Sequence, residues 1–85
     1  MNNELEIFKK KLIYRSGYRG TKEMDILLSS FVNKYIDTFD ENNLKELERF
    51  LNFEDEIILN FYHHGIVDKK INENSISQIF KEFKL

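Results

Sequence analysis

The sequence has no cysteine, no proline and no tryptophan, and only three glycines among its 85 residues. Without cysteine there is neither a disulfide framework nor a thiolate metal site, and the absence suits a reducing compartment. Without proline, nothing forces a break in a run of helix. No apolar run approaches the roughly 20 residues that a membrane-spanning helix needs. Nor does one sign of charge dominate: 13 Lys and Arg face 15 Asp and Glu, for a net charge of −2. That balance describes a solvated mixed surface, not the basic footprint of a nucleic-acid binder. The N-terminus, Met1-Asn2-Asn3-Glu4, carries acid and amide groups. It has neither the basic start and apolar stretch of a secretory signal nor the Arg- and Ser-rich, acid-poor pattern of a mitochondrial leader. A cytoplasmic location is the expectation.

What the sequence does have is aromatic side chains and a helical period. Eight Phe and four Tyr remove a large area from water per residue. They compensate for a chain whose length allows one domain, residues 1–85, and a small core. Leu5, Phe8 and Leu12, widened by Ile7 and Ile13, predict a helix over about 3–16, with Lys9, Lys10 and Lys11 mostly facing water. Gly17 is placed to end it in the left-handed conformation. A second helix should start near Gly20 or Thr21, with Glu23 and Asp25 in its first turn, where carboxylates suit the helix dipole. With Gly20 as N-cap, Glu23 would sit at N3 as half a capping box. Met24, Leu27, Leu28, Phe31, Val32, Tyr35 and Ile36 make this the central helix, ending near Thr38.

Asp40 predicts the cap of a third helix over about 41–51, striped by Leu44, Leu47 and Leu51. Asn52 is the expected cap of a fourth, which buries Ile57, Ile58, Phe61 and Tyr62 and stops at Gly65. Residues 68–74 read as a polar loop despite Ile71. A last helix over about 75–83 places Ile76, Ile79, Phe80 and Phe83 on one side. Ile57-Ile58-Leu59 has the look of a strand, but no alternating partner segment exists for it. The fold expected is all-α: one compact bundle of about five short helices.

The candidate chemistry is sparse. His63 and His64 are adjacent, about 100° apart on a helix, so they cannot chelate one ion together. A surface pair near a helix C-terminus is the favoured account. No serine lies in a nucleophile elbow, and Gly17 and Gly20 fit no phosphate loop. A catalytic role lacks a second partner at every position. Arg15, Arg19 and Lys22 lie near Tyr14 and Tyr18, a combination able to hold phosphates and stack bases, but Glu23 and Asp25 intrude. The patch Arg19-Gly20-Thr21-Lys22-Glu23 packs opposite charges around a residue without a side chain, which leaves room for a partner's backbone. The plain alternative is a structural helix junction, with Arg19 and Glu23 as a local ion pair of about 0.3–0.5 kcal/mol. Asp55 faces the same choice, since a carboxylate in a helix's first turn needs no other purpose.

Arg19-Gly20-Thr21-Lys22-Glu23-Met24-Asp25 resembles the R-G-x-x-E stretch of the SdhE family, small flavinylation factors for succinate dehydrogenase. Arg15 and Tyr18 match the basic lead-in of that family. Further on, Asp55, Ile58 and Phe61 are similar to its Asp, Leu and Trp at spacings of three; Phe61 keeps an aromatic ring but not the indole donor. His64-Gly65 resembles its helix-ending His-Gly, without the proline that often follows. The likeness runs from about Leu12 to Phe83. It implies a compact helical bundle that promotes covalent attachment of FAD to the flavoprotein subunit of succinate dehydrogenase or fumarate reductase. The bond would join the flavin 8α-methyl carbon to a client histidine. By that resemblance the protein is an assembly factor, not an enzyme. It holds no cofactor stably, since the client handles FAD. Apart from the resemblance, a free monomer is the default expectation, and the composition leads us to expect no membrane insertion and no nucleic-acid partner. Docking would run through Arg15, Tyr18, Arg19, Gly20, Lys22, Glu23, Asp25 and Asp55, with Arg19 offering its fork to the client. The runner-up is a generic interaction module using the same patch, and the third reading is a small nucleic-acid-binding domain.

Overall fold

The computed structural model describes residues 3–85; Met1 and Asn2, counted above among the N-terminal acid and amide groups, lie outside the described residues. Five α-helices follow one another: α1 Asn3–Ser16, α2 Lys22–Tyr35, α3 Glu41–Leu51, α4 Asp55–His64 and α5 Ser75–Glu82. No strand occurs among the described residues, and the bundle is all-α, as the period of the apolar residues implies.

The helix ends show which local signals act. Thr21, in extended conformation, caps α2 by accepting the Met24 N–H at 3.3 Å. Gly20 is therefore outside the helix and Glu23 stands at N2, so the half capping box does not form. Asp40 and Asn43 make a reciprocal capping box on α3, with bonds of 2.8 and 3.2 Å. Gly65 ends α4 at φ +66°. Gly17 does not take up a left-handed conformation. Instead α1 closes with Ser16 Oγ donating to the Ile13 carbonyl at 2.7 Å and the Gly17 N–H donating to the Tyr14 carbonyl at 3.1 Å.

Three expectations are revised. The end of α2 tightens into a 3-10 turn over Ile36–Thr38. Asn52 is the C-cap of α3 and not the N-cap of α4; that place belongs to Glu54, which makes no side-chain bond. The stretch expected as a polar loop contains a second 3-10 turn, Ile71–Glu73, because Ile71 is fully buried. The turn then leads into α5, where Asn74 Oδ1 accepts the N–H groups of Ile76 and Ser77 at 2.8 and 3.1 Å.

The core is built around Phe31 on α2. Its ring lies 5.1 Å from Phe80, 5.4 Å from Phe83 and 6.3 Å from Phe50, edge to face in each case. Such pairs add roughly 0.5–1.5 kcal/mol each beyond their burial. One side chain thus joins α2, α3 and the C-terminal end. Tyr62 ties α4 to the same end by donating to the Phe83 carbonyl at 2.7 Å. Helix α1 packs across α2 and α3, burying Leu12. Among the described residues no helix is long and apolar enough to cross a membrane.

Candidate functional site

The α1–α2 junction and the α3–α4 corner meet at one residue, Arg19. Helix α3 ends at Leu51, and the last carbonyls of any helix lack intrahelical partners. The Arg19 guanidinium supplies them from outside: Nη1 donates to the Leu51 carbonyl, and Nη2 donates to the Phe53 carbonyl at 2.6 Å. Its Nε donates to Asp55 Oδ1 at 2.9 Å. Asp55 is the first residue of α4, so its carboxylate also faces the positive end of that helix. The Arg19 backbone N–H completes the knot by donating to Asp25 Oδ1 at 2.5 Å. The planar fork of arginine matches three acceptors at once, as a lysine could not.

This geometry changes the roles assigned to the patch. The Arg19 side chain is only 12% exposed, and its fork points into the protein and not toward a partner. The expected ion pair between Arg19 and Glu23 is absent, because Arg19 lies in the turn before α2, where helical i,i+4 spacing does not hold. Arg19, Asp25 and Asp55 form a clasp that holds the junction in place. Arg15 adds a second stitch by donating to Asn52 Oδ1 at 2.6 Å.

What the clasp presents is the stretch Gly20-Thr21-Lys22-Glu23, all four exposed. Gly20 has φ +112°, a conformation that side-chain-bearing residues rarely adopt. A Cβ there would meet nothing within 4 Å, so the space over Gly20 is open to a visitor. Glu23 lies 3.7 Å from His63 Nε2 on the last turn of α4. Tyr18, 70% exposed, stacks on Tyr14, 63% exposed, with ring centroids 4.4 Å apart.

Of the expected site residues, Tyr18, Gly20, Lys22 and Glu23 reach solvent; Arg15, Arg19, Asp25 and Asp55 support them from behind. Ile58 and Phe61, the other members of the second motif, are core residues. Sequence reasoning left His63 without a role and passed over Asn52 as an acceptor. The spacing of Glu23 and His63 carries no signal, since they meet only where the first turn of α2 comes near the last turn of α4.

The family described as flavinator of succinate dehydrogenase matches residues 10–84. The chain belongs to this family. Among curated proteins, it is similar to the succinate dehydrogenase assembly factor 2, mitochondrial, of Saccharomyces cerevisiae, with 35% identity over 83 residues, 92% of this chain and 51% of that protein. The protein of the same name from Scheffersomyces stipitis is 47% identical over 47 residues, 55% of this chain and 32% of the relative. That from Danio rerio is 44% identical over 48 residues, covering 56% and 30%. The chain spans about half the length, or less, of these relatives. No solved structure matches it.

Proposed function

We propose that this flavinator-family chain is an assembly factor that docks on the flavoprotein subunit of succinate dehydrogenase, or of fumarate reductase, and promotes covalent attachment of FAD there. The observation that carries this reading is the family match over residues 10–84. The accessible glycine turn agrees with it, because a partner's backbone can approach Gly20 without meeting a side chain.

In this reading the protein contributes geometry, and the client binds FAD and supplies the histidine that becomes linked to it. Tyr18, Gly20, Lys22 and Glu23 form the contact, with Arg15 at its rim. Arg19, Asp25 and Asp55 keep the contact in shape. Holding the client so that its flavin and histidine lie in a near-attack arrangement is worth on the order of 7–11 kcal/mol in favourable cases. No covalent step passes through this chain, so it is not itself an enzyme and the attachment is autocatalytic on the client. The free protein is a monomer, acts in the cytoplasm and binds no nucleic acid.

The test is in-gel flavin fluorescence of the denatured client subunit from cells with and without this gene. The fluorescent band weakens or disappears without the gene and returns when the gene is restored. An equally bright band in both strains rejects the proposal.

A further inference from the structure

One face of α1 is left uncovered by the other described residues. Ile7, Lys10, Lys11 and Tyr14 are all exposed, and their spacing places them within about 100° of one another around the helix axis; Tyr18, exposed just past the helix end, lies against Tyr14. Exposed tyrosines are common singly; two stacked rings with an exposed isoleucine on the same face are not. The Tyr14–Tyr18 stack, at 4.4 Å and 19° between ring planes, fixes both rings before any partner arrives. That lowers the ordering cost of using them as anchors.

Charge says what such a partner looks like. Residues 9–22 hold six cationic side chains, Lys9, Lys10, Lys11, Arg15, Arg19 and Lys22, and no carboxylate. The remainder has seven Lys and Arg against all fifteen Asp and Glu. A chain with a net charge of −2 is thus basic along this edge and acidic elsewhere. Lys9 is 3.8 Å from Glu6, and the Arg19 fork is spent on the clasp. Lys10 and Lys11 form no ion pair among the described residues. The surface therefore offers two aromatic anchors flanked by two unneutralised cations, and it runs into the Gly20 turn.

We propose that this α1 face is a second docking surface, which receives an acidic segment of the client flavoprotein subunit: carboxylates on Lys10 and Lys11, apolar contact on the Tyr14–Tyr18 stack. The inference rests on the docking reading above and extends it from the Gly20 turn along α1 as far as Ile7, short of Glu4 and Glu6 in the first turn. A nucleic acid is disfavoured because its continuous phosphate charge would run on past Glu23 and the acidic remainder of the molecule. A short acidic peptide segment meets only the local cations, which steer its approach.

The experiment is calorimetric titration of the full chain with the purified client subunit, at low and at high salt. Tyr14→Ser, which leaves the Tyr18 side chain of the Gly20-turn contact in place, is expected to weaken binding by about tenfold at both salts, as the loss of an aromatic anchor does. Lys10→Glu/Lys11→Glu is expected to weaken it about tenfold at low salt, with most of the difference gone at high salt. Far-UV circular dichroism of both variants matches the wild type, since all three substituted side chains are exposed. If both bind within about twofold of wild type while Lys22→Ala/Glu23→Ala loses binding, docking stands and the α1 surface falls. If the wild type does not bind the client, both fall. Oligonucleotide binding or self-association by the wild type, lost in the same variants in place of client binding, assigns another occupant and overturns the inference.

Discussion

Arg19 and Glu23 sit four residues apart and have opposite fates. The first is tied to two carbonyls and a carboxylate inside the protein; the second is exposed and, among the described residues, pairs with an exposed histidine. Removing the Arg19 guanidinium strands those acceptors, so Arg19→Ala is expected to lower the unfolding free energy by about 2–3 kcal/mol, measured by urea denaturation. Glu23→Ala should change stability by no more than about 0.5 kcal/mol while weakening client binding. Equal stability losses in the two variants would dissolve the distinction between clasp and contact. The sequence carried only part of this. The R-G-x-x-E stretch stood out in the sequence by its family pattern and its charge. The direction of Arg19 was not legible, because two of its acceptors are backbone carbonyls of the α3–α4 corner, those of Leu51 and Phe53, and a carbonyl has no letter in the sequence. Asp25 and Asp55 were legible as residues of the site for the same family reason, but their use as internal acceptors emerges only when the two corners meet.

Helices with local start and stop signals were legible; those set by distant partners were not. The bounds of α1 and α3 follow from apolar spacing and, for α3, from Asp40 in the capping box with Asn43. Asp40→Ala should cost about 1 kcal/mol of stability, seen as a lower urea midpoint with an unchanged slope. Asp37→Ala, exposed in the adjacent 3-10 turn with no partner among the described residues, is the control. If both variants unfold alike, the box contributes nothing. The start of α4 misled because Asn52 looks like a cap, whereas its side chain serves Arg15 across the corner. Ile71 misled because a lone isoleucine among polar residues gives no period, although the bundle buries it completely. The cap of α5 was missed although its signal is local: Asn74 directly precedes the helix and accepts from Ile76 and Ser77, while its Nδ2 also donates to the Glu46 carbonyl at 2.8 Å.

A molecule of this length has one core and little reserve. Phe31 meets rings from α3, α5 and the C-terminal end, so Phe31→Ala should cost about 3–5 kcal/mol, set against a total of roughly 5–15 for a small domain. Thermal unfolding followed by circular dichroism should show the midpoint falling by tens of degrees, at about 4–8 °C per kcal/mol. A shift of only a few degrees would mean that the ring cluster is not the centre of the bundle. The knot between the α1–α2 turn and the α3–α4 corner also bears on genetics. Because Leu51 and Phe53 lend their carbonyls to Arg19, a lesion that displaces the end of α3 would tilt the turn that carries Gly20. A screen for lost partner recognition will therefore recover interior substitutions alongside surface ones, and a footprint drawn from such alleles alone will come out larger than the area the partner touches.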